Sequence, residues 1–356
     1  GRCLKPLFRR AYLSAAHALP ADHPPLPGPK IGVLLLNLGT PTATDYWSMR
    51  RYLSEFLSDR RIIELPKLLW QPILQGPILT FRPSKSGKAY RKIWNEETNE
   101  SPLRTYTRKM TEKVAAALTA EHPSVMVDYA MRYGEPATGP AVARMIAAGC
   151  DKLLLIPLYP QYSAATTATA CDQAFRQLMR ERWQPAVRTA PPWFDDPGHI
   201  DLLARSVEAH YASLDHVPDV LIASFHGLPK EYFEKGDPYH CHCAKTARLL
   251  RERLGWPEDK LTMAFQSRFG PKEWLQPYAD ETIRALPAKG AKSVAMISPG
   301  FVADCVETLE ELAIGLAEEF HEAGGENFSY VPCLNDSDGQ IAFLTDLAKR
   351  ELGGWL

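Results

Sequence analysis

The feature that most constrains this chain is an order of elements that occurs twice. Four apolar runs rich in β-branched residues, at 31–38, 153–159, 220–225 and 293–298, have the length and composition of strands buried on both faces. Helical periodicity separates them, at 46–57, 103–118, 137–148, 244–254 and 304–320. Two further short strands end alike, one in Met131-Arg132-Tyr133-Gly134 and one in Ser267-Arg268-Phe269-Gly270. Each sits between a strand–helix unit before it and a helix and strand after it. Strands alternating with helices predict parallel α/β layers, and the repeat predicts two similar domains facing each other across a cleft.

A length of 356 residues suits two such domains. Residues 30–190 are expected to form the first and 191–350 the second. The stretch 1–29 is set apart by Arg2, Lys5, Arg9 and Arg10, with no acid before Asp22 and prolines from Pro20 onward; it reads as an N-terminal arm or an amphipathic targeting extension. From Gly32 to Asp151 is 119 positions and from Val220 to Lys292 is 72, so the first half is longer by 119 − 72 = 47 residues.

The surplus falls in residues 60–105. Trp70, Ile73, Leu74, Ile78, Leu79 and Phe81 are interrupted by Pro72, Gly76 and Pro77, and a basic stretch follows with Arg82, Lys85, Lys88, Arg91 and Lys92. The stretch is either a loop folded on the core or an apolar lip beside the cleft, able to cover a planar apolar substrate or dip into a bilayer. No uninterrupted apolar run reaches spanning length. A net charge of −1 gives no electrostatic basis for bulk nucleic-acid binding, and seven cysteines in so long a chain are not a disulfide framework. Reduced thiols in the cytoplasm are the expectation. The first strand ends in Asn37-Leu38-Gly39-Thr40-Pro41, without a dinucleotide fingerprint, and no phosphate-binding loop of the Walker type occurs.

Chemistry is expected at the C-terminal strand edges. His226 stands at one of them, in Phe225-His226-Gly227-Leu228-Pro229 with Gly236-Asp237-Pro238-Tyr239 beyond. It is either structural or a base, since imidazole is partly neutral near pH 7. Asp304, Glu307 and Glu311 follow the last strand and would share one helix face, with Asp304 either a helix cap, a group in a carboxylate line, or both. Arg132, Tyr133, Ser267 and Trp274 lie at or just beyond the other strand ends and would face the same cleft.

These residues sit in segments that resemble ferrochelatases over nearly all of residues 30–350. The segments are LLNLGTP at 35–41, SPL at 101–103, MRYGEP at 131–136, LYPQYSAATT at 158–167, FHGLP at 225–229, GDPY at 236–239, FQSRFGP at 265–271 and DCVETLEE at 304–311. The resemblance implies two Rossmann-like domains, each a parallel sheet flanked by helices. It implies a lyase-class metal chelatase that inserts Fe²⁺ into protoporphyrin IX, the terminal step of haem biosynthesis, with iron as substrate and no cofactor needed. His226 and Glu307 would be the catalytic and metal-handling pair. Lys92, Arg132, Tyr133, Ser267 and Trp274 would shape the porphyrin pocket, and Asp304 and Glu311 would extend a metal or proton path. Cys305 departs from relatives with histidine there, and Gly315 shortens the acidic line.

Some ferrochelatases carry a [2Fe–2S] cluster. Here its ligands would be Cys241, Cys243 and Cys333 with Cys171 or Cys150, whereas in many of them three ligands lie in a C-terminal extension that is not expected after Leu356. A homodimer and a cytoplasmic, peripherally membrane-associated position through the lip are further expectations. The competing readings are a cobalt or nickel chelatase of a related tetrapyrrole and a non-catalytic porphyrin-binding protein.

Overall fold

The structure is a computed structural model and describes residue 22 and residues 29–356. The expected N-terminal arm therefore lies almost wholly outside the described residues. Among the described residues there are eight strands: β1 (Lys30–Gly39), β2 (Val125–Tyr133), β3 (Cys150–Pro157), β4 (Ala186–Thr189), β5 (Val220–His226), β6 (Leu261–Gln266), β7 (Ser293–Ile297) and β8 (Asn327–Val331). They form two four-stranded sheets, ordered β2-β1-β3-β4 and β6-β5-β7-β8, with every pairing parallel. The two orders are the same permutation, so the duplication read in the sequence is a duplication of topology.

β1 shows why these runs carry no polar alternation. Val33 and Leu35 enter one apolar layer while Leu34 and Leu36 enter the layer on the opposite face, and all four are fully buried. β5 repeats the arrangement, with Leu221 and Ala223 on one face and Val220 and Ile222 on the other.

Packing does not follow the chain division at its end. The last helix, Asp338–Glu351, places Leu344, Leu347 and Ala348 against Leu103, Met110 and Val114 on the first sheet's layer. Its Lys349 pairs with Glu121, and Arg188 of β4 donates to the carbonyl of Glu351. The C-terminus of the second half thus straps the first.

The 47-residue surplus is helical. Helix Lys67–Ile73 runs through a π-turn (Leu74–Ile78), kinked at Gly76, into helix Leu79–Ile93. Leu74 and Leu79 are fully buried beside Met49, Leu57 and Tyr133, whereas Leu68 is 90% exposed, Leu69 66% and Phe81 75%. Both readings of this stretch hold in part: one side is core, the other an exposed apolar ridge.

Candidate active site

A cavity of about 510 Å³ opens at the C-terminal edges of β5 and β6. Its apolar walls come from Leu38, Leu158 and Tyr159 of the first half, Ile62, Leu65 and Trp70 of the insertion, and Trp274 and Phe301 of the second half. The volume lies in the usual range for a small-molecule site.

His226 ends β5, and its side chain enters this cavity. Its Nδ1 lies 2.7 Å from the carbonyl oxygen of Gly227. A carbonyl only accepts, so Nδ1 carries a hydrogen, and the neutral ring presents a bare Nε2. The turn that holds this geometry requires a glycine. A Cβ on Gly227 would lie 2.7 Å from the Gln266 carbonyl oxygen and 3.1 Å from the Trp274 ring. Trp274 is fixed in turn by its indole N–H, which donates to the carbonyl of Phe269 at 3.0 Å.

Glu307 and Glu311 line the same cavity. The helix carrying them departs from expectation. Residues Glu307–Leu316 form a π-helix, and only Ala317–Glu322 is α-helical. A π-helix has close to four and a half residues per turn, so positions 307 and 311 stay on one face. Long π-helices are rare and concentrate at functional sites. Burial pushes the Glu311 carboxyl up, and the Glu307 charge adds to this; the Ser267 hydroxyl and nearby His226 act against it. Ser267 donates to Glu311 Oε2 at 2.6 Å, from a backbone with φ +66° that side-chain-bearing residues rarely adopt. Strain held in place at a cavity wall is a mark of function.

Lys92 reaches the site indirectly. It sits on helix Leu79–Ile93 and pairs with Glu310 at 2.8 Å, tying the insertion to the π-helix.

Three expected site residues are elsewhere. Asp304 precedes the helix and is 3% exposed; it accepts from Thr308 Oγ1, Tyr330 OH and Asn335 Nδ2 at 2.7–3.0 Å. It neither caps the helix backbone nor lines the cavity. It is a hub joining β8 to the π-helix, because its two oxygens are taken up by these three donors. Arg132 and Tyr133 do not line the cavity either. Arg132 Nη2 and Tyr133 OH both donate to Asp59, at 2.6 and 2.7 Å, and Arg132 Nε donates to Thr169 at 2.7 Å. The helix Tyr46–Leu57 and the turn carrying Asp59 cover this strand end, so both residues are spent on internal pairing.

The expected cluster ligands are not assembled. Cys241 and Cys243 both lie on helix Tyr239–Leu254, and residues two apart on a helix point about 200° apart. Accordingly Cys241 is exposed and Cys243 buried. Cys333 faces Tyr330 and Asp304, and Cys171 and Cys150 are buried in the first half. Burial raises the Cys243 and Cys333 thiols and pushes Cys171 up to about 11. Among the described residues no group of three or more His, Cys, Asp or Glu is arranged to hold a metal ion. Among the described residues these thiols are not gathered into a four-cysteine site.

One functional candidate went unmarked in the sequence. Arg82 lines the cavity, half-buried, with no carboxylate or hydrogen-bond acceptor among the described residues. Burial lowers its pKa, and its guanidinium lies 5.3 Å from the Phe269 ring centroid. In the sequence it was one of five cations in a basic stretch; burial alone distinguishes it from Lys85 and Lys88.

The family model described as Ferrochelatase matches residues 30–352. The chain belongs to the ferrochelatase family. Ferrochelatase of Allorhizobium ampelinum is 60% identical over 338 residues, which is 95% of this chain and 98% of that protein. Ferrochelatase of Rhodobacter capsulatus is 57% identical over 339 residues, covering 95% and 97%. Among solved structures, SirB from Bacillus subtilis with Fe³⁺ superposes with a TM-score of 0.54 at 11% identity, covering 90% of this chain and 95% of that one. The sirohydrochlorin chelatase SirB from B. subtilis subspecies spizizenii in complex with cobalt gives 0.50 at 8% identity. At such identities the likeness concerns the fold alone, two Rossmann-like chelatase domains, and lends nothing to a cobalt or nickel activity.

Proposed function

We propose that this ferrochelatase-family chain inserts Fe²⁺ into protoporphyrin IX with His226 as proton acceptor. Porphyrin loses two pyrrole protons as iron binds its four nitrogens. With Nδ1 held against the Gly227 carbonyl, the neutral His226 ring leaves Nε2 to accept a proton in a mostly apolar cavity, and that contact carries the assignment. Glu307 and Glu311 line the same cavity and provide the negative charge that draws a hydrated divalent cation and later carries protons away. The Glu311 carboxyl, raised by burial, holds a proton more readily than an ordinary carboxylate and is suited to relaying one.

The macrocycle lies between the apolar walls, with Trp274 as one of its aromatic faces. Arg82, the half-buried cation without a partner among the described residues, takes a propionate. Lys92 keeps the insertion closed against Glu310. The two halves, residues 30–190 and 191–350, supply one wall each, with the insertion at 60–105 as the rim. The exposed ridge of Leu68, Leu69 and Phe81 rests in a membrane surface, from which an apolar substrate reaches the cavity. No helix of the described residues is long and apolar enough to cross a membrane, so this contact is peripheral.

The test is anaerobic insertion of Fe²⁺ into protoporphyrin IX by the parent, His226→Ala, Glu307→Gln and Arg82→Ala. Loss of about 10²-fold or more in kcat is expected for His226→Ala and Glu307→Gln. Arg82→Ala should raise KM for protoporphyrin about tenfold and leave KM for its dimethyl ester unchanged. Full activity in His226→Ala would remove the assigned base.

A further inference from the structure

Glu307 is held by an unusual anchor. It opens the π-helix, and the nine residues before it, 298–306, contain no strand and only the first helical residue. Regular structure on its N-terminal side therefore does not fix where its carboxylate stands. Beside the Asp304 contact to Thr308, an anchor comes from β6, the edge strand of the second sheet. Gln266, the last residue of β6, is 3% exposed, and its Nε2 donates to the Glu307 carbonyl oxygen at 2.9 Å. Its Oε1 accepts from the hydroxyl of Ser224 on β5 at 2.8 Å, and Ser224 is fully buried. The amide orientation is unambiguous, because a backbone carbonyl can only accept.

The same residue also governs the other side of the site. Gln266 is the register partner of His226 across β5 and β6. Its carbonyl oxygen accepts from the Gly227 N–H at 2.8 Å, and Gly227 in turn carries the carbonyl that orients the His226 ring. One residue thus holds the base through its backbone and the opposing carboxylate through its side chain.

We propose that Gln266, braced by Ser224, is a positioning residue that sets Glu307 against His226 for metal insertion. The inference rests on the assignment of His226 and Glu307 as the reacting pair. Gln266 acts on the helix that bears Glu307 rather than on porphyrin, so its loss slows the chemical step while the macrocycle still binds. Catalytic groups displaced by about 1 Å lose on the order of 10²-fold in rate.

The experiment measures kcat for Fe²⁺ insertion and Kd for protoporphyrin IX by fluorescence quenching, in Gln266→Met, Ser224→Ala and the double variant. Methionine keeps the length and volume of glutamine but makes neither hydrogen bond. The expected result is a fall in kcat of about tenfold or more in Gln266→Met with Kd within about twofold of the parent. Ser224→Ala should show a smaller fall in the same direction, and the double variant should be no slower than Gln266→Met alone. A kcat within about twofold of the parent in Gln266→Met overturns the proposal. So do effects that add in the double variant with Kd weakening in parallel, which mark a general pocket scaffold. If Gln266→Met does not fold, Ser224→Ala decides, and parental kcat and Kd in that variant overturn it. Should His226→Ala and Glu307→Gln lose activity while Gln266→Met keeps it, only the positioning inference fails.

Discussion

Arg132 gives the sharpest separation between a pocket residue and a structural one. Its side chain is 6% exposed, against 4% for Asp59, and the two are joined at 2.6 Å. Asp59 also accepts from Tyr133 OH, Thr169 Oγ1 and the Arg61 N–H. Replacing Asp59 by alanine strands a buried guanidinium and orphans a buried phenol. Breaking one side of a buried pair costs about 3–5 kcal/mol. A domain of 150–250 residues loses about 2–4 °C of Tm per kcal/mol, so Asp59→Ala should melt about 6–20 °C lower. Arg132→Ala leaves a carboxylate that keeps its Tyr133 and Thr169 donors, and should cost less. The double variant should fall short of the sum of the two, because the second substitution removes the charge that the first leaves unpaired.

The acid dependence follows from the same contacts. Burial alone would raise the Asp59 carboxyl, but the Thr169 hydroxyl, the Arg61 N–H, the Tyr133 phenol and the Arg132 charge outweigh it and hold the group below its ordinary value. A depressed carboxylate contributes stability above its unfolded pKa of about 3.9, and that contribution is lost as pH falls through the folded value. Parent Tm should therefore drop below about pH 4 by more than Asp59→Asn does. Scanning calorimetry across pH with steady-state kinetics on the same samples tests both. Parental Tm in Arg132→Ala together with a KM for protoporphyrin raised about tenfold would refute the reasoning and return Arg132 to the pocket.

Ser267→Ala should move the acid limb of kcat/KM to higher pH. Loss of its hydrogen bond removes a contact that lowers the Glu311 pKa, so the carboxylate form is kept only at higher pH; an unmoved limb would uncouple Glu311 from the rate. Leu68→Ser with Leu69→Ser should abolish flotation with liposomes while kcat on detergent-solubilised porphyrin stays parental; equal flotation would remove the ridge from membrane contact.

The sequence by itself determined the repeated α/β order, since strands buried on both faces must be apolar throughout and so announce themselves as runs. β1 and β5 extend at most one residue beyond the runs at either end. It also placed His226 at the C-terminal end of a strand, where it lines the cavity, because a glycine–proline turn marks the end of that strand. The family followed from segments spread along the chain, and the profile match over residues 30–352 bears it out.

Partners distant in sequence decided the rest. Arg132 and Asp59 are 73 positions apart, and only the fold reveals that a strand-end arginine is already paired. Asp304 looked like a helix cap because Glu307 follows three residues on, yet its donors come from Thr308, Tyr330 and Asn335. The π-helix was invisible because its sequence satisfies α-periodicity, and the wider turn is set by what packs around it. Arg82 and Gln266 carried no local signal, since a cation among five and an amide at a strand end acquire meaning only from burial and from the group each one meets. Local pattern encodes which face of a segment must leave water; which side chain meets which is fixed only when the two sheets and the insertion close on one cavity.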